Sequence, residues 1–557
     1  MADTRTEREK LASRWGALKS ERESWMSVYQ DVTDNLLPYS GRYFVQDRNR
    51  GERRTGAIYD RTATGDLRIL CAGLMAGMSS PARPFFNLTT FDAELDESAS
   101  VKRWLADVRR LMLMIFAKSN TYRALHASYE ELGAFGTSAT VVLPNYKNVL
   151  HQYPVTTGEF AISTNAEGHV DTLYREFEKT VGQLFEEFGK ENLSKTVQSL
   201  ADQGKWDAWV PIIHAIEPRR ARDAQKRDAR NMRFKSVYWE VGGDGDGFLR
   251  ESGFHDFPAL CPRWAASGGD IYGNSPAMEA LGDIRQLQHE QLRKSQGIDY
   301  MTKPPLQAPS SLKNGEINGL PGGFTFVDMT GPQGSVKNLF DVRLDLSHLL
   351  ADIQDVRQRI AGAFYSDLFM MIASQPVGRM TATEVAERHE EKLLMLGPVL
   401  ERLHGEILSP LIEITFARMV EAGIVPIPPK ELQDVELNVE FVSMLAQAQR
   451  AVATNSIDRF VLSLGQVATI KPEVLDKLDA DQWADAYSDM LGIDPDMIVP
   501  GDQVAVIRRQ RAEAAQAQQQ AQQAQQMADT AAKLANARTD QPSALTDVTR
   551  MFAGYTT

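Results

Sequence analysis

The side chains that do chemistry are scattered in this sequence rather than gathered. A nucleotide-driven motor needs a GxxxxGK[ST] loop to cradle phosphates, and none occurs. There is no GxSxG elbow for a serine nucleophile and no His/Cys cluster with metal spacing. His389-Glu390 opens like a zinc-binding HExxH pair, but the second histidine position is Leu393. The glycine-aspartate run Gly242–Gly247 resembles a calcium loop. A loop starting at Asp244 would need glycine at 249 and an acid at 255, and these are Leu249 and His255. A hairpin turn is the expectation instead. The carboxylates of Glu384, Glu387, Glu390 and Glu391 alternate with Arg388 and Lys392, the pattern of a solvated helix face. The expectation is therefore a protein that is not an enzyme, with no catalytic residue, no cofactor and no metal.

Charge gives the next restriction. The chain has 557 residues, 61 Lys and Arg against 74 Asp and Glu, and a formal net charge of −13. That balance argues against coating nucleic acid through bulk attraction. One strongly basic stretch stands out, carrying Arg219, Arg220, Arg222, Lys226, Arg227, Arg230, Arg233 and Lys235. It reads either as a phosphate-contacting patch or as a solvated loop partly neutralised by Asp223 and Asp228. A hydrophobic share of 43% with 24% charged residues is that of a core-forming chain. Its length allows about three or four folding units. The longest apolar stretch, Ile69 to Met78, is about half a membrane span, and the N-terminus lacks the apolar core of a signal peptide. Cys71 and Cys261 stand far apart, which fits a reducing cytosol.

The elements that position these residues read as α+β, mainly helical. Leu11, Trp15, Leu18, Trp25, Tyr29, Val32 and Leu36 predict a first amphipathic helix ending at Pro38 and Gly41. Further helices are expected over 67–78, 101–118 and 122–132, with strands at 85–88, 140–143, within 159–176, at 234–241 and 248–254. Ser275 and Pro276 form an N-cap and first-turn pair that starts a helix to about Tyr300. A Pro/Gly-rich insertion follows, with one strand-like run at Phe324–Met329, before a second helix through Leu346 to Phe364. Residues 366–380 read as irregular. Thr381 and Glu384 match a capping box opening a long helix, inside whose apolar seam Pro398 and Pro410 are expected to cause kinks. Residues 436–442 predict a strand, and 503–535 an Ala/Gln-rich helix to about 515 with disorder beyond.

Several segments line up with one family. Asp60-Arg-Thr-Ala-Thr-Gly-Asp-Leu67 through Leu74, then Ser80-Pro81 and Phe85-Phe86, resembles the N-terminal signature of head-to-tail connector (portal) proteins of short-tailed, T7-like phages. Ser119–Tyr122 leading to the Gly136–Leu143 strand, Tyr272–Pro276 with Leu281–Arg285, and Arg379–Val385 resemble successive blocks of the same family. The resemblance covers about residues 5–500; the basic stretch and the Gln-rich tail carry none of it.

The resemblance implies a ring of about twelve subunits, with a wing over 1–275 and stem helices at 276–300 and 346–365. A clip would span 301–345, a tunnel loop 366–380, a kinked helix and strand returning to the wing 381–442, and a crown 443–500. The Ala/Gln helix and tail at 501–557 would follow. It implies a channel at one capsid vertex in the virion, assembled in the host cytoplasm with no membrane. A separate terminase would drive double-stranded viral DNA through it, and adaptor, tail, capsid and scaffold proteins would dock on it. Channel contacts would come from Met370, Met371, Gln375 and Arg379 in the tunnel loop. Arg285, Arg293, Lys294, Arg357 and Arg359 on the stem helices are further candidates, or they form salt bridges instead. DNA must slide, so phosphate contacts without base readout are expected. Two alternatives remain: an internal core or scaffold protein without a channel, and a metal-dependent nuclease using the acidic helix faces.

Overall fold

The structure, a computed structural model, describes residues 5–43, 54–92, 95, 98–223, 225–226, 228–243, 247–302, 306–307, 337–338, 347–373, 396–432, 437–441, 460–467, 471, 473, 479–491, 499 and 501–535. The chain divides into two units, 1–93 with 104–452, and 94–103 with 453–557.

In the first unit, α1 (Glu7–Asn35) opens on a capping box: Thr6 Oγ1 accepts from Glu9 N, and the Glu9 carboxylate accepts from Thr6 N. Its apolar stripe Leu11, Trp15, Leu18, Tyr29 and Val32 is buried, as the spacing predicts. α2 (Thr62–Met78) buries Leu67, Leu70 and Leu74. β1 (Phe86–Thr90) and α3 (Ala99–Lys118) follow. α4 (Thr121–Phe135) ends at Gly136, whose positive φ of 73° suits a residue without a Cβ.

Two antiparallel sheets come next. β2 (Ala139–Asn145) lies between β3 (Val149–Val155) and β9 (Ala259–Leu260). The larger sheet contains β4 (Phe160–Thr164), β5 (Val170–Thr180), β6 (Trp209–Pro218), β7 (Phe234–Glu240) and β8 (Arg250–Phe254), in that spatial order. Side chains alternate across it. Tyr174, Ile213, Ala215 and Trp239 pack under Leu11, Trp15 and Leu18 of α1. On the other face, Leu173 and Ile216 join Val141 and Val155 of the smaller sheet. Farther along that face, Ile212 and Tyr238 pack against α5 (Val181–Phe188) and α6 (Lys195–Asp202).

Ser275 does cap the next helix: its Oγ accepts from Met278 N at 3.0 Å and donates to Ala134 O at 2.8 Å. The helix is broken at Ala280 into α7 (Pro276–Glu279) and α8 (Leu281–Thr302). α8 packs on α9 (Ser347–Ala363) through Ile284, Leu287, Ile353, Val356 and Ile360. Between them, β10 (Leu306–Gln307) pairs with β11 (Lys337–Asn338). Residues 366–373, expected to be irregular, form α10 (Ser366–Ala373). Its continuous apolar run hides helical periodicity, and packing decides its shape.

Of the two expected kink positions, Pro398 stands in the first turn of α11 (Gly397–Leu403), where a missing N–H leaves no bond unmade. Pro410 stands in the first turn of α12 (Ser409–Glu421), directly after a π turn over His404–Leu408. That wide turn offsets the carbonyl ladder where the Pro410 ring would meet the carbonyl of Glu406. β12 (Leu437–Phe441) returns to pair antiparallel with β1, Phe441 opposite Phe86.

In the second unit, Trp483 stacks on Tyr487 within α13 (Ala480–Leu491). The long α14 (Gly501–Ala535) runs as one helix, past the boundary near 515 where disorder was expected. Arg508 of α14 ion-pairs with Asp481 of α13 at 2.5 Å. The expected strand at 324–329, the capping box at 381–384 and the turn at 244–246 lie outside the described residues.

Candidate nucleic-acid interface

The stem candidates differ in what already holds them. Arg285 on α8 ion-pairs with Asp31 of α1. Arg359 on α9 reaches Asp283 of α8 at 3.4 Å and Asp355 of its own helix at 3.7 Å. Arg357 pairs with Asp60 Oδ2 at 2.7 Å. Arg293 is exposed and meets only neutral groups of its own helix, Nε with His289 Nε2 at 3.3 Å and Nη1 with Gln296 Oε1 at 3.5 Å. Lys294 has no ion pair among the described residues. Arg293 and Lys294, adjacent in sequence, are therefore the cations among these five whose charge meets no carboxylate among the described residues. On α10, Met370 is 56% exposed. Met371 shares that helix, and Gln375 and Arg379 lie outside the described residues.

Asp60 sits at the centre of the helix pair, and its sequence context alone does not mark it as a site residue. Its Oδ1 accepts from Thr62 N and Thr62 Oγ1 at 2.8 and 2.6 Å, and its Oδ2 from Gln291 Nε2 at 2.9 Å besides Arg357. Gln288 closes the network: its Oε1 accepts from the Tyr59 and Asp60 amides, and its Nε2 donates to Asp60 O at 2.8 Å. Burial pushes the Asp60 carboxyl up, but the Thr62 hydroxyl, Arg357 and the Thr62 amide together pull it below the ordinary carboxylate value. The Asp-x-Thr pattern before α2 was the available signal, since a short acid two residues ahead of a helix favours such a turn.

A second carboxylate, Asp66, seats α10. Ser366 Oγ donates to Asp66 Oδ1 at 2.9 Å inside the protein. Phe369 packs against Gly73 of α2, where a Cβ would come within 2.1 Å of its ring. Tyr365, the joint between α9 and α10, has a φ of +55°, a strained value for a residue with a side chain. The turn that leads into α2 thus fixes α8 and α9 through Asp60, and α2 itself fixes α10 through Asp66 and Gly73.

The sequence matches the family described as "Bacteriophage head to tail connecting protein" over residues 8–499. The chain belongs to this family of phage head-to-tail connectors. The "Probable portal protein" of Bordetella phage BPP-1 is 66% identical over 551 residues, covering 99% of each chain. The "Portal protein" of Salmonella phage epsilon15 is 44% identical over 544 residues, covering 98% of each. The "Portal protein" of Escherichia phage T7 is 21% identical over 440 residues, covering 73% of this chain and 76% of its own.

In this connector the basic stretch between β6 and β7 is partly paired. Arg219 and Arg230 both reach Glu251, at 2.9 and 3.8 Å, and Lys235 reaches Glu217 at 2.8 Å. Arg220 and Arg222 stay exposed. The π turn anchors its helix to the sheet region. Within it, Glu406 accepts from Arg263 Nη2 at 2.7 Å, from its Nε at 3.3 Å and from its backbone N at 2.8 Å. No helix among the described residues is long and apolar enough to cross a membrane.

Proposed function

We propose that about twelve copies of this chain form a ring-shaped channel at one capsid vertex of the virion. A separate terminase drives double-stranded viral DNA in through it, and the DNA later leaves through adaptor and tail proteins docked on the insertion between α8 and α9. The family match over residues 8–499, with relatives at 66% and 44% identity along nearly their whole length, carries this reading. It disfavours a scaffold or core protein. The packed pair of helices α8 and α9 on either side of a Pro/Gly-rich stretch of sequence supports it, because a scaffold has no use for that arrangement.

The chain acts mechanically and not as an enzyme in this reading. Met370 and Met371 of α10, with Gln375 and Arg379 beyond it in sequence, meet DNA in this reading, and α2 holds α10 in place. On the stem, Arg293 and Lys294 contribute uncommitted positive charge, while Arg285, Arg357 and Arg359 hold helices together and meet phosphate secondarily. Electron micrographs of the purified chain test the ring; particles without a central channel would sink it. Arg379→Ala is expected to assemble normally and to lower packaged DNA, and unchanged packaging would remove Arg379 from the contact set.

A further inference from the structure

The basic stretch between β6 and β7 carries more cations than the carboxylates around it neutralise. Its base is closed where Arg219 N donates to Arg233 O at 2.8 Å. From there it folds onto itself and onto β8. Asp223 N donates to Asn231 Oδ1 at 2.9 Å, and a Cβ on Gly253 would come within 2.2 Å of Ala229 O. The carboxylates within reach are already committed. Glu251 faces both Arg219 and Arg230, Asp223 faces Lys226 at 3.6 Å, and Asp228 accepts from Asn231 Nδ2 at 2.6 Å. Glu217 accepts from Lys235 and, at 2.7 Å, from the Tyr174 hydroxyl. Arg220, Arg222 and Arg233 are exposed and meet no carboxylate among the described residues. Three arginines on one packed loop thus keep their charge in a chain of net charge −13.

We propose that this loop is a second phosphate-binding surface, on elements other than α8, α9 and α10, and that it takes the backbone of a DNA duplex without reading sequence. Arginine forks suit phosphate oxygens, and contacts of this kind position a duplex but do not select it. A protein partner would need an apolar or aromatic anchor at the centre of the contact. No large apolar side chain between residues 210 and 240 is exposed among the described residues. The same absence removes the aromatic platforms on which single-stranded bases stack, which favours a duplex. The cations are spread over an exposed loop rather than enclosed, which suits a chain of phosphates better than one small anion.

The channel reading supplies the duplex, but the surface stands on these side chains alone. A column of immobilised duplex DNA tests it with the full-length chain. With three contacting arginines, affinity falls about 200-fold between about 20 and 150 mM salt. The wild-type chain is therefore expected to be retained at the lower salt and released before the higher. The triple variant Arg220→Gln, Arg222→Gln and Arg233→Gln is expected to pass straight through. Arg220→Lys, Arg222→Lys and Arg233→Lys together keep the charge and should keep most of the retention. Arg293→Gln with Lys294→Gln, on α8, should leave retention unchanged. A wild-type chain that never binds, or retention lost in the α8 pair and kept in the loop triple, overturns the proposal. So does loop-dependent retention on immobilised polyglutamate with none on the duplex, which would assign the loop to an acidic protein segment. Micrographs of the same preparations separate this from the channel: rings without loop-dependent retention sink the loop alone, and loop-dependent retention without rings sinks the ring alone.

Discussion

At the residue scale, the carboxylates that matter are held by hydrogen bonds to other parts of the chain. Asp60→Asn keeps the shape but removes the charge facing Arg357, so a loss of about 2 kcal/mol is expected by denaturant unfolding. Asp60 titrates below its ordinary value in the folded chain. Its contribution is therefore present at neutral pH and lost as pH falls through that lowered value. Glu131 behaves in the opposite sense. It accepts from Thr156 Oγ1, Thr157 Oγ1 and Thr157 N, yet burial raises its pKa from 4.5 to about 7. The folded chain then holds a proton that the unfolded chain has released, so stability falls as pH rises from 4.5 through about 7. Glu131→Gln should remove that part of the slope, and a Tm-against-pH series that keeps it would refute the assignment.

At the element scale, the run of α11, the π turn and α12 is tied to Arg263, close to β9, through Glu406. Glu406→Gln leaves the Arg263 guanidinium, whose side chain is 6% exposed, without its anion. A loss of about 3 kcal/mol in urea unfolding is expected. The elements most legible in the sequence are those whose ends are set by local chemistry. Ser275 and Pro276 start their helix where the cap pattern places them, and the seams of α8 and α9 bury Ile284, Leu287, Ile353 and Val356 as spacing predicts. α10 was hidden because Leu368 to Ile372 is apolar all round, so its shape depends on Phe369 meeting Gly73 far back in the chain. The site was legible by residue type and not by commitment. The cations of α8 and α9 are visible as Arg and Lys, but which of them are spent depends on Asp31, Asp60 and Asp283, and no local pattern connects Arg357 to an acid hundreds of residues earlier.

At the scale of the whole molecule, a charge of −13 bears on the proposed passage of DNA. The purified chain is expected not to retard linear duplex in a gel at physiological salt, since tight phosphate neutralisation would oppose sliding. A salt-sensitive shift at micromolar protein would contradict this. The β1–β12 pairing bears on a different matter, the order of folding. Phe86 and Leu88 belong to a strand whose only described partner, Leu437–Phe441, comes about 350 residues later. At ribosomal speeds of about 5–20 residues per second, β1 waits roughly 20–70 s for β12. Throughout that interval an apolar strand edge is available to any passing strand, including one on a sister chain. Slow synthesis across the middle of this chain should therefore favour aggregation, and nascent chains stalled before residue 437 are where it should first appear.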